Sequence, residues 1–240
     1  MERTESREPR RVRRMFGEIA PSYDLLNHLL SANLDRRWRR AAARELAEGG
    51  FPRVLDLCGG TGDLTLELAR PSGRTVVCCD FSHPMLRRAQ TKFERADRPA
   101  RCLTLEADGL RLPLAPAGFD AVTIAFGIRN FADMSEGLRE IHRILRPAGR
   151  LIVLEFSRPT RPLLSTLYTF YLTKLLPRIG DRISGRQGAY SYLANTVSTF
   201  LSPEELADRI QESGFADCEW TPLTAGIVTI HRATKSGVQS

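Results

Sequence analysis

The chain lacks the features that mark several specialised classes. No apolar stretch approaches the roughly 18–20 residues of a membrane-spanning helix. Its first residues are charged, with no apolar core of the secretory kind, so a cytoplasmic location is expected. Cysteine occurs five times (Cys58, Cys78, Cys79, Cys102, Cys218), with no C-x-x-C pair and no zinc spacing. Four of these lie in or at the end of apolar strand-like runs, where small thiols pack, so neither a disulfide framework nor a cysteine nucleophile is expected. The four histidines (His28, His83, His142, His231) show no ligand partners in sequence, and no metal is expected. No repeat or low-complexity linker interrupts the chain.

What is present is an ordinary globular composition: 240 residues, 42% hydrophobic and 26% charged. That length suits one domain with a full core. The net charge of +7 comes largely from arginine near the start, in "REPRRVRR" (7–14) and "DRRWRR" (35–40). Such runs read as a solvated basic surface, as a face for anionic membrane, or as a nucleic-acid contact.

From residue 50, β-rich runs alternate with helical patterns. Strands are expected at 53–58, 75–80, 102–108, 119–127 and 150–157, with helices at about 62–70, 82–96 and 133–146. The last helix opens on "DMSE", a capping-box pattern pairing Asp133 with Glu136. Alternation of this kind gives right-handed crossovers and a parallel sheet with helices on both faces. A helix capped by Ser202 follows, then "ADCEWTPL" and "GIVTIHRAT", joined by too few residues for a parallel crossover, so they must pair antiparallel. Seven strands, mostly parallel, with an antiparallel last strand define a Rossmann-like methyltransferase pattern in the α/β class. The segment 158–200 falls outside the alternation. It holds "PLLSTLYTFYLTKLL" (162–176), too short to span a bilayer, then a polar turn region "GDRISGRQGAYSYL". The apolar helix reads as buried, as a homodimer face, or as a lid over an apolar substrate.

The glycine cluster "DLCGGTGDL" carries Gly59, Gly60 and Gly62 around Thr61. No Gly-Lys-Ser/Thr follows, which excludes a nucleotide P-loop, and Thr65 stands where the third glycine of a dinucleotide fingerprint belongs. What remains is a tight strand-to-helix turn that brings backbone N–H groups close to a ligand. Asp80 ends the second strand, 20 residues after Gly60, where an acid can accept ribose hydroxyls. Asp108, followed by Gly109, ends the third and suits an adenine amino group. Acids at the ends of successive strands point to an adenosine ligand, and S-adenosylmethionine fits better than NAD because its carboxylate replaces the pyrophosphate.

"YDLLN" (23–27), Ser31, Trp38, "DLCGGTGDL", "FGIRNF" (126–131) and "RILRPAGRLIVLEFS" (143–157) together resemble the ubiquinone/menaquinone biosynthesis C-methyltransferases, over about residues 12–235. Three departures stand out: Leu26 replaces the usual Met, Asp35 the usual His, and Arg-Pro-Ala-Gly (146–149) the usual Lys-Pro-Gly-Gly. The first and third are conservative by residue type; the second removes a histidine, so position 35 is not counted as catalytic. The resemblance implies a single domain over 1–240, with 1–50 an N-terminal helical cap and 158–200 a lid or substrate insertion. It places cofactor contacts at Thr61, Asp80, Asp108 and Gly109. The implied substrate is a polyprenylated quinol, closer to the menaquinone than to the ubiquinone members.

Methylation at a ring carbon needs an ionised or nearly ionised quinol hydroxyl, whose ordinary pKa near 10 must be offset. Arg129, with Asn130 beside it, is the expected fixed cation. Tyr23, Asp24 and Asn27 are expected to close over the site and reach the quinol oxygens. A bilayer-borne substrate would recast the apolar helix and the basic N-terminus as a peripheral membrane contact at the inner face. No nucleic-acid partner is expected, because no Pro-Pro-aromatic loop follows strand four. Open alternatives are a methyltransferase for another aromatic or lipid acceptor, an NAD-dependent oxidoreductase, and a silent cofactor-binding scaffold.

Overall fold

The computed structural model describes residues 9–96, 101–159, 161–184 and 188–237. Its centre is a seven-stranded sheet of order β3-β2-β1-β4-β5-β7-β6. The strands are β1 (Arg53–Leu57), β2 (Thr75–Asp80), β3 (Arg101–Glu106), β4 (Phe119–Ala125), β5 (Leu145–Phe156), β6 (Phe215–Leu223) and β7 (Val228–Lys235). β1 to β5 pair parallel, and β7 runs antiparallel to both β5 and β6. The terminal hairpin therefore folds back so that its last strand inserts beside β5, which leaves β3 and β6 at the edges. The central strands are apolar on successive residues because both faces are covered.

Side-chain alternation sorts the helices into two layers. Leu55, Leu57, Val122, Ile124, Leu151 and Val153 face α6 (Met134–Ile144) and α10 (Pro203–Glu212). Val54, Val76, Ala121, Ile152 and Leu154 face α3 (Leu34–Arg44) and α4 (Asp63–Leu68). Below Cys78, α5 (His83–Arg95) packs through Leu86 and Ala89. Helix α10 begins with a complete capping box between Ser202 and Glu205. In α6 only half of the expected box forms: Asp133 accepts the Glu136 N–H, while the Glu136 carboxylate turns to Arg111 at 3.9 Å.

A third core joins the two segments outside the alternation. Ile19 of α1 (Pro9–Ile19) and Leu26 of α2 (Tyr23–Leu30) pack with Leu172, Leu176, Tyr190 and Val197. The last two belong to α9 (Ala189–Ser198). The apolar stretch forms α7 (Pro162–Phe170), passes through a π-helical turn at Tyr171–Leu175, and continues as α8 (Leu176–Ser184). Two expectations are corrected here. The supposed polar turn region is largely helical in α8 and α9, with 185–187 outside the described residues. The apolar helix expected over 162–176 is buried only toward its end, at Leu172 and Leu176; none of α7 is buried, and Leu163, Leu167 and Phe170 are 76%, 59% and 58% exposed. Among the described residues no helix is long and apolar enough to cross a membrane.

The Arg-Pro-Ala-Gly change is less conservative than its residue types suggest. Between β4 and β5 the register jumps from Phe119↔Leu145 to Ala121↔Arg150, so residues 146–149 bulge out of the ladder. Ala148, where the family pattern has glycine, takes φ +60°. A Cβ in that left-handed region is strained.

Candidate active site

In a sheet of this order the crevice opens at the carboxyl ends of β1 and β4, where connections diverge to opposite faces. Both strands end in strained backbone: Cys58 has φ +57° and Phe126 φ +59°. Gly127 follows, and a Cβ built there would lie 2.4 Å from Cys58 Cβ. Side chains in these two turns leave no space for each other, and the backbone is pressed toward the ligand side.

Around this point lies a crevice of about 90 Å³, lined among others by Gly60, Asp80, Asp108, Gly109 and Asn130. Asp80 is held at its floor: Gly60 N–H donates to Oδ2 and Ser82 N–H to Oδ1, each at 2.9 Å. Burial pushes the Asp80 carboxyl up to about 6, with the N–H groups of Ser82, Gly60 and Phe81 pulling the other way. Gly60 has φ +56° and no atom within 4 Å of where a Cβ would stand, so an open face meets the crevice. Gly59 and Gly62 serve packing instead, against Cys78 and Phe93. The structure thus gathers Gly60, Asp80, Asp108 and Gly109 around one space and sets Gly59, Thr61 and Gly62 behind it. An open glycine beside a buried acid fits an adenosine ligand with a second anchoring group.

Asp56, the acid that precedes the glycine cluster, is buried below this loop and takes hydroxyl hydrogen bonds from Thr65 (2.6 Å) and Thr123 (2.9 Å). It ties β1 to α4 and β4, and Thr65 at the third-glycine position is explained by that bond.

The N-terminal helices roof the crevice. Thr61 donates its hydroxyl to Asp24 Oδ1. Lys92 Nζ reaches Asp24 Oδ2 at 2.7 Å and Asp63 Oδ1 at 2.6 Å. Asp24 thereby fastens α2 to the glycine loop, and Tyr23 beside it faces the interior. Sequence reasoning placed Asp24 over the site but had no signal for Lys92, which stands in the last turn of α5.

A second, larger cavity of about 350 Å³ adjoins the first and shares Phe16, Tyr23 and Phe126 with it. Its wall is aromatic: Phe126 and Phe156 stack with centroids 4.6 Å apart, and Trp38 meets both at just over 6 Å. Arg39 lies over Phe126 and Arg129 over Phe156, at 5.2 and 5.4 Å. The basic run 35–40 is therefore not wholly a surface feature, since Arg39 turns inward and is buried.

Arg129 lines this cavity but is not a bare cation. Its Nη1 donates to Glu155 Oε1 at 2.6 Å and to the Phe126 carbonyl at 2.7 Å. Glu155 is fully buried, and burial raises its carboxyl despite the guanidinium beside it. Arg129 Nε and Glu155 Oε2 are both buried without a hydrogen-bond partner. Asn130 accepts the Tyr192 hydroxyl at 3.1 Å, which joins the β4 loop to α9. The Tyr23 hydroxyl is bonded to Asn27, and burial raises it although Arg39 and Arg129 oppose this.

One sequence expectation changes at this cavity's polar corner. His28 was expected to have no ligand partner, yet its Nδ1 lies 2.8 Å from Asp35 Oδ2 and its Nε2 lies 3.7 Å from Asp63. The three groups bring ligand atoms within 4.8 Å of one another. Arg39 on Asp35 and Lys92 on Asp63 already neutralise both acids. The histidine usual at position 35 is thus replaced by a carboxylate with an imidazole one helix away, a pairing visible only once α2 and α3 pack.

A 3-2-1-4-5-7-6 sheet with an acid-floored crevice at its carboxyl edge defines the S-adenosylmethionine-dependent methyltransferase class. Solved structures agree on the fold. A possible histamine N-methyltransferase from Thermotoga maritima superposes with TM-score 0.66 at 21% identity, covering 93% of this chain and 99% of that one. Human N-acetylserotonin methyltransferase superposes with TM-score 0.59 at 21% identity, covering 88% and 55%. The chain belongs to the ubiE/COQ5 methyltransferase family, which matches residues 3–235. It is 48% identical to the demethylmenaquinone methyltransferase of Thermus thermophilus, over 90% of this chain and 98% of that one. It is 43% identical to the ubiquinone/menaquinone biosynthesis C-methyltransferase of Citrifermentans bemidjiense, over 94% and 96%.

Proposed function

We propose that the protein methylates a ring carbon of demethylmenaquinol, giving menaquinol. The observation that carries this reading is the pair of joined cavities: one polar and acid-floored, the other apolar, aromatic and within the size range of small-molecule sites. The names of the family relatives supply the acceptor class. S-adenosylmethionine, held by Gly60, Asp80, Asp108 and Gly109, supplies an electrophilic methyl group when bound. Tyr23, in the wall common to both cavities, orders the acceptor ring against the crevice. Arg129, braced by Glu155, and Asn130, braced by Tyr192, hold a quinol oxygen as charge develops on it. Residues 1–50 act as the cap and 158–200 as the substrate lid.

The exposed Leu163, Leu167 and Phe170 of α7, with Leu25 and Leu29 of α2, form the contact with the bilayer that carries the substrate. Exposed Arg10, Arg11, Arg13 and Arg14 of α1 add attraction to anionic lipid; Arg7 and Glu8 of that run lie outside the described residues. The relatives' shared ubiquinone/menaquinone name supports a second acceptor, the 2-methoxy-6-polyprenyl-benzoquinol. Purified protein with labelled S-adenosylmethionine and each demethylated quinol decides between them. Preferential labelling of the naphthoquinol is expected; preference for the benzoquinol would move the assignment, and labelling of neither would overturn it.

A further inference from the structure

We infer that Asp35 is the base that takes the proton from the acceptor hydroxyl, with His28 as the positioning residue behind it. The inference rests on the quinol reading above. Asp35 lines the apolar cavity yet is only 3% exposed. A carboxylate offers about four acceptor positions. Three donors occupy Asp35: the Ser31 hydroxyl on Oδ1 at 2.8 Å, and His28 Nδ1 and Arg39 Nη1 on Oδ2 at 2.8 and 3.2 Å. One position remains, on an acid that shares a polar corner with Asn27, Ser31 and Arg39 in a cavity walled mainly by hydrocarbon and aromatic rings. An acceptor hydroxyl entering that corner is the donor it lacks.

The charge arithmetic favours transfer there. As the O–H bond breaks, its electron pair stays on the phenolate oxygen and the proton passes to Asp35. Negative charge moves from the carboxylate to the phenolate while Arg39 stays bonded to Asp35 and Arg129 lines the same cavity. His28, whose Nδ1–H already donates to Oδ2, holds the carboxylate in place with its remaining position toward the cavity. The imidazole sits between two carboxylates, with Asp35 on Nδ1 and Asp63 3.7 Å from Nε2. The groups around it are Asp35 and Arg39 of α3, Asp63 of α4, Lys92 of α5, Asp24 on its own helix, and Tyr171, whose hydroxyl bonds the Leu30 carbonyl. After the new C–C bond forms and the C–S bond breaks, the ring C–H proton returns to the oxygen as aromaticity is restored. Besides the methylated quinol and S-adenosylhomocysteine, the reaction yields one proton, the one held on Asp35 until the products leave.

The test is Asp35→Asn, with His28→Asn as a second variant should the first fail to fold by circular dichroism. Wild-type turnover of demethylnaphthoquinol is measured first; its absence sinks the quinol reading, whereas the following outcomes bear on the base alone. At pH 7 the expected result is kcat lower by about 100-fold, with KM and S-adenosylmethionine affinity each changed less than about threefold. That deficit should shrink toward about tenfold as pH rises to 9, and with a ring-fluorinated acceptor whose hydroxyl ionises more readily, because the base is then less needed. A deficit flat in both pH and acceptor acidity would mark Asp35 as structural and overturn the inference, as would unchanged kcat. Loss of wild-type activity on chelation, restored by Zn²⁺, would overturn it in favour of a metal on His28, Asp35 and Asp63.

Discussion

Two single residues carry consequences that can be measured. Ala148 holds a left-handed conformation in the bulge before the apolar part of β5, where glycine would be unstrained. Ala148→Gly should therefore stabilise the fold by about 1 kcal/mol, raising Tm by about 2–4 °C for a chain of this size; a lower Tm would show that the bulge is not strained. Asp80 is the other. With its carboxyl raised to about 6, the acid is ionised at pH 7 and increasingly protonated below pH 6. A protonated carboxyl cannot accept two ribose hydroxyls, so S-adenosylmethionine affinity should fall by up to about tenfold per pH unit below 6. Titration calorimetry from pH 5 to 8 checks this, and Asp80→Asn should bind weakly with no such pH dependence. Both residues were visible in the sequence, but of their roles only the placing of Asp80 at the crevice was. Asp80 stood out because a strand end fixes where its side chain goes; Ala148 did not, because a positive φ leaves no trace in residue type.

At the scale of elements, the latch between α2 and α5 has the clearest prediction. Lys92 neutralises Asp24 and Asp63 at once, and its loss leaves two partly buried acids without their cation. Lys92→Ala should free the cap, raising the S-adenosylmethionine Kd by about tenfold, chiefly through faster dissociation. Stopped-flow binding would show it, and an unchanged dissociation rate would mean that the cap is held by packing alone. The central elements were legible because parallel strands buried on both faces read as short apolar runs with acids and glycines at their ends. Elements outside the sheet were less so. In the stretch 162–184 the π-turn at Tyr171–Leu175, where the helix meets the cavity, is marked in the sequence only by Pro177, which has no N–H for the turn before it. Arg129 was identified by its place after β4, but its pairing with Glu155, 26 residues away, depends on β4 and β5 lying side by side. The same holds for His28 and Asp35, which look like an isolated histidine and a lost one until two helices pack.

At the scale of the molecule, the structure divides labour between two faces of one edge. The sheet fixes the polar crevice, while the N-terminal helices and α7–α9 build the apolar cavity and leave leucines and a phenylalanine outside it. If that outer face meets the bilayer, replacing Leu163, Leu167 and Phe170 together with serine should weaken co-sedimentation with anionic vesicles by at least about tenfold. Turnover of a short-chain soluble quinol should be little changed. Equal sedimentation of both proteins would place the membrane contact elsewhere. The central claim is that the two cavities bring a sulfonium methyl to a ring carbon of the quinol. The most direct measurement is mass spectrometry and NMR of the product formed from demethylmenaquinol and methyl-labelled S-adenosylmethionine. Label on the ring carbon, strongly reduced in Arg129→Ala although that variant still binds the cofactor, is the predicted result; label on a quinol oxygen, or equal turnover by Arg129→Ala, would contradict the account.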